Sequence, residues 1–209
     1  MAPFLLRRRD LLASASAASE APGVVSGTAL GSGRNPAAPP PPLVGLTVLL
    51  LPRSAALLDE LERLRRESRD SLAAYRSAIP QMRRLVEAAI AEFTTAGRAD
   101  SIRTSPVDGE GRFALGDIPS GDWILIAYRA LYVDRSSRDR QKESGTFLPS
   151  GRLVGYDRVS VWLRPLAVEP GQRVVLELTD RNVWFEGVQE KTEQRDRVPD
   201  IGRRRRSAN

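Results

Sequence analysis

The chain has no histidine and no cysteine. Histidine is the commonest general base and metal ligand, and cysteine the commonest soft nucleophile, so Ser-His-Asp and Cys-His machinery are both excluded. No phosphate-cradling loop or dinucleotide fingerprint is present. What remains for catalysis is a carboxylate pair of the kind glycosidases use, and the spacing singles out none. The expectation is a noncatalytic chain without a cofactor. Asp108, Glu110, Asp117 and Asp122 lie on turns, each beside a glycine, and oxygen ligands on such loops suit calcium. Their order does not follow an EF-hand, and aspartate is a common turn residue for its own hydrogen bonds, so no metal site is expected. Three aromatic residues are the candidate ligand-binding positions: Trp162, Trp184 and Tyr156. Trp162 alternates with Val161 beside Ser160 and Arg164, which predicts an outward ring, and Trp184 falls at the end of an element. Exposed rings of this kind can stack on sugars. Trp123, at the start of an apolar run, is expected to pack inward.

The net charge is +6. Seven of the positive charges sit in Arg7–Arg9 and Arg203–Arg206; without them 25 basic residues face 26 acidic ones. The body is close to neutral, so no specific nucleic-acid function is expected and the terminal runs read as nonspecific basic tails. No stretch reaches the roughly 18 apolar residues of a membrane span, and no transmembrane segment is expected.

These positions hang on the stretch Val107 to Tyr128, VDGEGRFALGDIPSGDWILIAY. Asp108 to Gly111 is a tight turn. Phe113 and Leu115 alternate on one face of a short strand, Gly116-Asp117 breaks it, and Ile118 to Gly121 turns again. Trp123 to Tyr128 is apolar in both phases, which predicts burial on both faces. Asp108, Gly111, Phe113, Leu115, Pro119, Gly121 and Trp123 resemble the D-x-x-G-x-F turn, P-x-G turn and aromatic-led strand of the carboxypeptidase regulatory-like domain, a transthyretin-like (prealbumin-like) β-sandwich. Val24 to Thr28 and Leu43 to Val48 are similar to that family's first two strands. The resemblance covers residues 23–52 and 101–187 and implies a mainly β chain, an antiparallel β-sandwich of the seven-stranded type. It also implies a structural or ligand-presenting role in a bacterial envelope or secreted setting, with an unknown protein or glycan as partner. A carbohydrate-binding module using exposed tryptophans is the alternative.

The remaining elements follow in order. Gly31 to Pro42, with four consecutive prolines, is a stiff connector. Val44 to Leu51 is a second strand apolar on both faces. Residues 54–97 depart from the family and read as helical, capped by Ser54 and ended by Gly97. Apolar spacings of three and four run through them with one interruption at Ser68. A single helix would carry its ends too far apart to rejoin one sandwich, so an antiparallel hairpin is expected, 54–77 and 80–96, with its turn at Ser77 to Gln81 and Pro80 in the first turn of the second helix. Packing that hairpin on the two doubly apolar strands accounts for their missing polar faces. Asp134 to Ser144 reads as a charged loop, and Arg152 to Arg164 as a strand ended by Pro165. Arg173 to Thr179 is an alternating strand, and Val183 to Gly187 a short last strand or an aromatic plug.

The domain organisation expected is thus a leader at 1–22, a sandwich with its inserted hairpin at 23–187, and a basic tail at 188–209, disordered from Gln189 onward and dispensable. In the leader, Arg8-Arg9-Asp10-Leu11-Leu12 resembles a twin-arginine signal without a full apolar core, so it reads as a disordered leader or a degraded export signal. A periplasmic or secreted location is expected, a cytoplasmic one being the alternative.

Overall fold

The structure, a computed structural model, describes residues 21–33, 38–134 and 152–193. The expectations for residues 1–20, for 135–144 and for the tail beyond 193 lie outside the described residues.

Eight strands and two helices follow in the order β1 (Gly23–Leu30), β2 (Thr47–Pro52), α1 (Ala55–Glu67), α2 (Leu72–Thr95), β3 (Arg103–Pro106), β4 (Arg112–Ile118), β5 (Gly121–Asp134), β6 (Arg152–Val168), β7 (Arg173–Thr179) and β8 (Phe185–Glu193). They form a three-stranded sheet, β4-β1-β7, and a five-stranded sheet, β3-β2-β5-β6-β8. The chain is mainly β, but it departs from a seven-stranded antiparallel plan. Eight strands are present among the described residues, and β1 runs parallel to β7, Val24 opposite Arg173 through to Leu30 opposite Thr179.

The alternation of apolar residues builds two cores, one on each side of the large sheet. Between the sheets, Val25, Phe113, Leu115 and Leu178 of the small sheet meet Val48, Leu50, Leu125, Ala127 and Trp162 of the large one. On the other face, Leu51, Ile124, Ile126, Val159, Val161 and Leu163 meet Leu57, Leu61, Leu64, Ala78, Ile79 and Met82 of the helices. The hairpin therefore covers the large sheet, and β2 and β5 are apolar in both phases because both faces are buried. β1 is squeezed between its neighbours: a Cβ at Gly27 would fall 2.1 Å from the Leu176 carbonyl oxygen and 2.7 Å from Phe113 Cζ.

The hairpin turn is not at Pro80. The first helix stops after Glu67, where Ser68 is buried with its hydroxyl donating to the Arg65 carbonyl at 2.7 Å. Ser71 then caps α2, accepting from the Ala74 N–H at 3.0 Å. The interruption of the stripe at Ser68 is the turn itself, and Ser71 at its end supplies the cap of α2. Pro80 lies inside α2, where its missing N–H leaves the Arg76 carbonyl without the usual partner, at a cost of about 3 kcal/mol. Burial of the adjacent Ile79 and Met82, at about 1.5–3 kcal/mol each, offsets it. The ends are as expected: the Ser54 hydroxyl accepts from the Leu57 N–H, and Gly97 leaves the helix at φ +69°, a conformation glycine adopts without strain.

Three strand limits also move. Gly116-Asp117 does not break β4 but makes a bulge against β1, with Asp117 at φ +52°. Pro165 does not end β6, which runs on to Val168. β8 pairs with β6 only as far as Val161, so Pro165 meets β5 alone and its absent N–H breaks no ladder on the open side. Finally, residues 189–193 are strand: β8 pairs with β6 from Phe185–Val161 to Glu193–Arg152. Lys191 pairs with Asp157 at 3.0 Å and Glu190 with Arg76 at 3.0 Å. The charge of that segment was read as disorder, yet it serves an edge strand, where charged side chains face water.

Candidate functional site

The three aromatic candidates do not converge. Trp162 is 0% exposed, not outward. Its ring fills the space between the two sheets, and its indole N–H donates across that space to the Thr179 carbonyl at 2.9 Å. Its phase opposite Val161 holds, but that face is the sandwich core, and β6 is buried on both faces at Val161 to Leu163. Tyr156 shares Trp162's phase on β6 but lies six residues away, roughly 20 Å along the strand, opposite Val133, and is 37% exposed. Trp184 is half-buried on the other side of the sheet. Its indole N–H donates to Glu62 at 3.2 Å, Arg65 lies over its ring at 5.2 Å, and Phe185 packs beside it. It ties α1 to the start of β8 rather than offering a flat ring to solvent.

Two of the acidic turn residues, Asp108 and Glu110, are engaged locally. One Asp108 carboxylate oxygen accepts from the N–H groups of Glu110 at 2.9 Å and Arg112 at 2.8 Å. Gly111, at φ +81°, packs against the Ala29 carbonyl so closely that a Cβ would lie 2.9 Å from it. Glu110 pairs with Arg112. Among the described residues no group of three or more acidic side chains is placed to hold a metal ion.

The concave site lies where the hairpin crosses the large sheet. It is a partly open cleft of about 300 Å³. Its roof is Ile79, Met82, Arg83, Val86 and Glu87 of α2, with Leu61 of α1, and Trp184 lines it as well. Its floor is two rows of residues set by the strand register. One row runs Thr104, Leu49, Ile126, Leu163; the next runs Thr47, Tyr128, Val161. Rows on one face are two residues, about 7 Å, apart. The floor therefore passes in one step from Leu49, Ile126 and Leu163 to a pair of adjacent hydroxyls, Thr47 and Tyr128.

The polar row sits below the charged part of the helix. Arg83 and Glu87 form an i,i+4 pair at 3.0 Å through the guanidinium Nε. Burial pushes the Tyr128 phenol above its usual pKa of 10, while the Arg83 guanidinium acts on it in the opposite direction. Tyr128 is thus a protonated hydroxyl donor throughout the neutral range. Among the described residues no side chain or carbonyl bonds the hydroxyls of Thr47, Thr104 or Tyr128.

None of these cleft residues stands out from the sequence. Tyr128 reads as a strand end and Thr47 as a residue within the second strand, while Arg83 and Glu87 lie in the helical stretch off its apolar stripe. The usable signal was the pairing of two strands apolar in both phases with an amphipathic hairpin, which predicts a layer between them.

No protein-family model matches the chain, and no curated protein matches it. Among solved structures, one similar chain is from Pseudomonas aeruginosa, described as a "putative carbohydrate binding protein". It is 14% identical, with 76% of this chain and 88% of that one covered, at a TM-score of 0.38. A likeness that distant carries no weight on fold or ligand.

Proposed function

We propose that the chain is a noncatalytic binding module whose ligand occupies the cleft between the hairpin and the five-stranded sheet. The observation that carries this is the cleft itself: about 300 Å³, mostly apolar on floor and roof, with the Thr47 and Tyr128 hydroxyls side by side in one row of the floor. Apolar concavities with a few convergent polar groups are where proteins take small ligands. The lining favours an apolar or amphipathic molecule over a saccharide, since Trp162 and Trp184 lie on opposite faces of the sheet and share no platform.

Kinship with carboxypeptidase regulatory-like domains belongs to the same reading. It is supported by the braced Asp108 turn and by the inward Phe113, Leu115 and Trp123 that follow it. An envelope or secreted setting rests on Arg8-Arg9-Asp10-Leu11-Leu12 and is tested by cell fractionation with the mass of the mature N-terminus. A product found intact in the cytoplasm would remove that setting.

The cleft is tested by a thermal-shift screen of apolar and amphipathic small molecules on the wild type and on Val86→Trp. That substitution places a large ring at the roof of the cleft. A ligand at a hundred times its dissociation constant stabilises by ~2.7 kcal/mol. Stabilisation of the wild type that is lost in the variant is the expected result; equal stabilisation of both would refute the assignment.

A further inference from the structure

We infer that the ligand is an amphipathic carboxylate, its apolar body on the Leu49–Ile126–Leu163 row and its head at Tyr128, Thr47 and Arg83. This deepens the binding-module reading and rests on it. The first support is the polarity step along the floor, from Leu49, Ile126 and Leu163 in one row to the Thr47 and Tyr128 hydroxyls in the next, which fixes a direction for a two-ended molecule. Size is the second. An apolar cavity of ~150 Å³ takes one benzene ring, so 300 Å³ takes about two such groups, or a chain of about a dozen carbons.

The head follows from the donor count at the polar end. Tyr128, half-buried, and Thr47, exposed at the cleft mouth, set adjacent hydroxyls there. Arg83 spends only its Nε on Glu87, which leaves both terminal amino groups for a second acceptor. Arg83 and Glu87 neutralise one another; a cationic head would have to displace the guanidinium from Glu87, whereas an acceptor reaches its terminal amino groups with the pair intact. Asp157 and Lys191, the other charges that act on Tyr128, pair with one another at 3.0 Å. An acceptor-rich head of one negative charge fits this set, and a carboxylate is the simplest group that accepts from a hydroxyl and a guanidinium together.

The test is calorimetric titration of the full chain with decanoate, 1-decanol and decylamine, which share a chain and differ in the head. Decanoate is expected to bind at least about tenfold more tightly than either. Arg83→Gln should remove about that factor for decanoate and cost decanol clearly less, since an alcohol oxygen accepts from the guanidinium without a charge of its own. Arg83 is largely exposed, so the variant retains the fold. Equal affinities for the three, or a preference for decylamine, overturn the carboxylate. If Val86→Trp abolishes binding of all three in that case, the cleft stands and only the head assignment falls. If Val86→Trp changes none of them, the cleft assignment falls as well.

Discussion

Gly187 offers a test in which the sign of the effect is diagnostic. It lies on β8 beneath α2, and a Cβ there would sit 2.5 Å from Ile79 Cγ1 and 2.9 Å from Phe185 Cε1. Carbon atoms rest at about 3.5–4.0 Å, so Ile79 has to retreat by about 1 Å. Ile79 is buried in the second core and has little room to do so. In a strand whose face is open, Gly→Ala stabilises by about 0.5–1 kcal/mol through lost unfolded-state freedom. At Gly187 the overpacking term of about 1–3 kcal/mol outweighs it, and net destabilisation is expected. Ile79→Ala alone should cost about 2–5 kcal/mol. In the double variant the new methyl group enters vacated space, so the pair should be less destabilised than the sum by about 1–3 kcal/mol. Urea unfolding followed by tryptophan fluorescence, with all four proteins in one cycle, measures this. A neutral or stabilising Gly187→Ala, or strict additivity, would show that α2 does not bear on β8 at this point.

Trp162→Ala should cost about 3–5 kcal/mol, as expected for a buried ring, whereas a surface tryptophan would cost under about 0.5 kcal/mol; denaturant midpoints distinguish the two. Truncation after Val188 removes the paired end of β8 and its links to Asp157 and Arg76, and should lower the melting temperature by several degrees; an unchanged value would restore the view that the segment is dispensable. Because the Tyr128 phenol is raised in the folded state, folding favours its protonated form. The stability this contributes is present below the unfolded value of about 10 and is lost as pH rises through the higher folded value. Tyr128→Phe should therefore flatten the fall in stability above about pH 10, and an identical alkaline slope in both proteins would contradict the burial of that hydroxyl.

Most of the layered plan could be read from the residues. The paired phases of β2 and β5, apolar on both sides, required two covers, and the amphipathic stretch at 54–97 was the available second one. Local placement was less legible. Pro80 outweighed Ser68 to Ser71 as the expected turn because proline is the stronger breaker in isolation, yet packing of Ile79 and Met82 held the helix through it. Trp162 alternates with Val161 as the pattern implies, yet it points into the core and not outward, since period two says which residues share a face and not whether that face is covered. The charged end of β8 looked disordered because an edge strand and a solvated tail use the same residues. The cleft joins Thr47, Arg83 and Tyr128 from three elements, and no local spacing could have marked them as neighbours.

The central claim, that the ligand lies between hairpin and sheet, has a convenient reporter. The chain has two methionines, Met1 and Met82, and Met82 lines the cleft. With methyl-¹³C methionine the full chain carries one signal inside the proposed site and one at its N-terminus. Titration with decanoate should move the Met82 methyl resonance saturably, with the same dissociation constant as calorimetry, and leave the Met1 signal in place. Calorimetric binding with an unmoved Met82 resonance would place the ligand elsewhere and contradict the account.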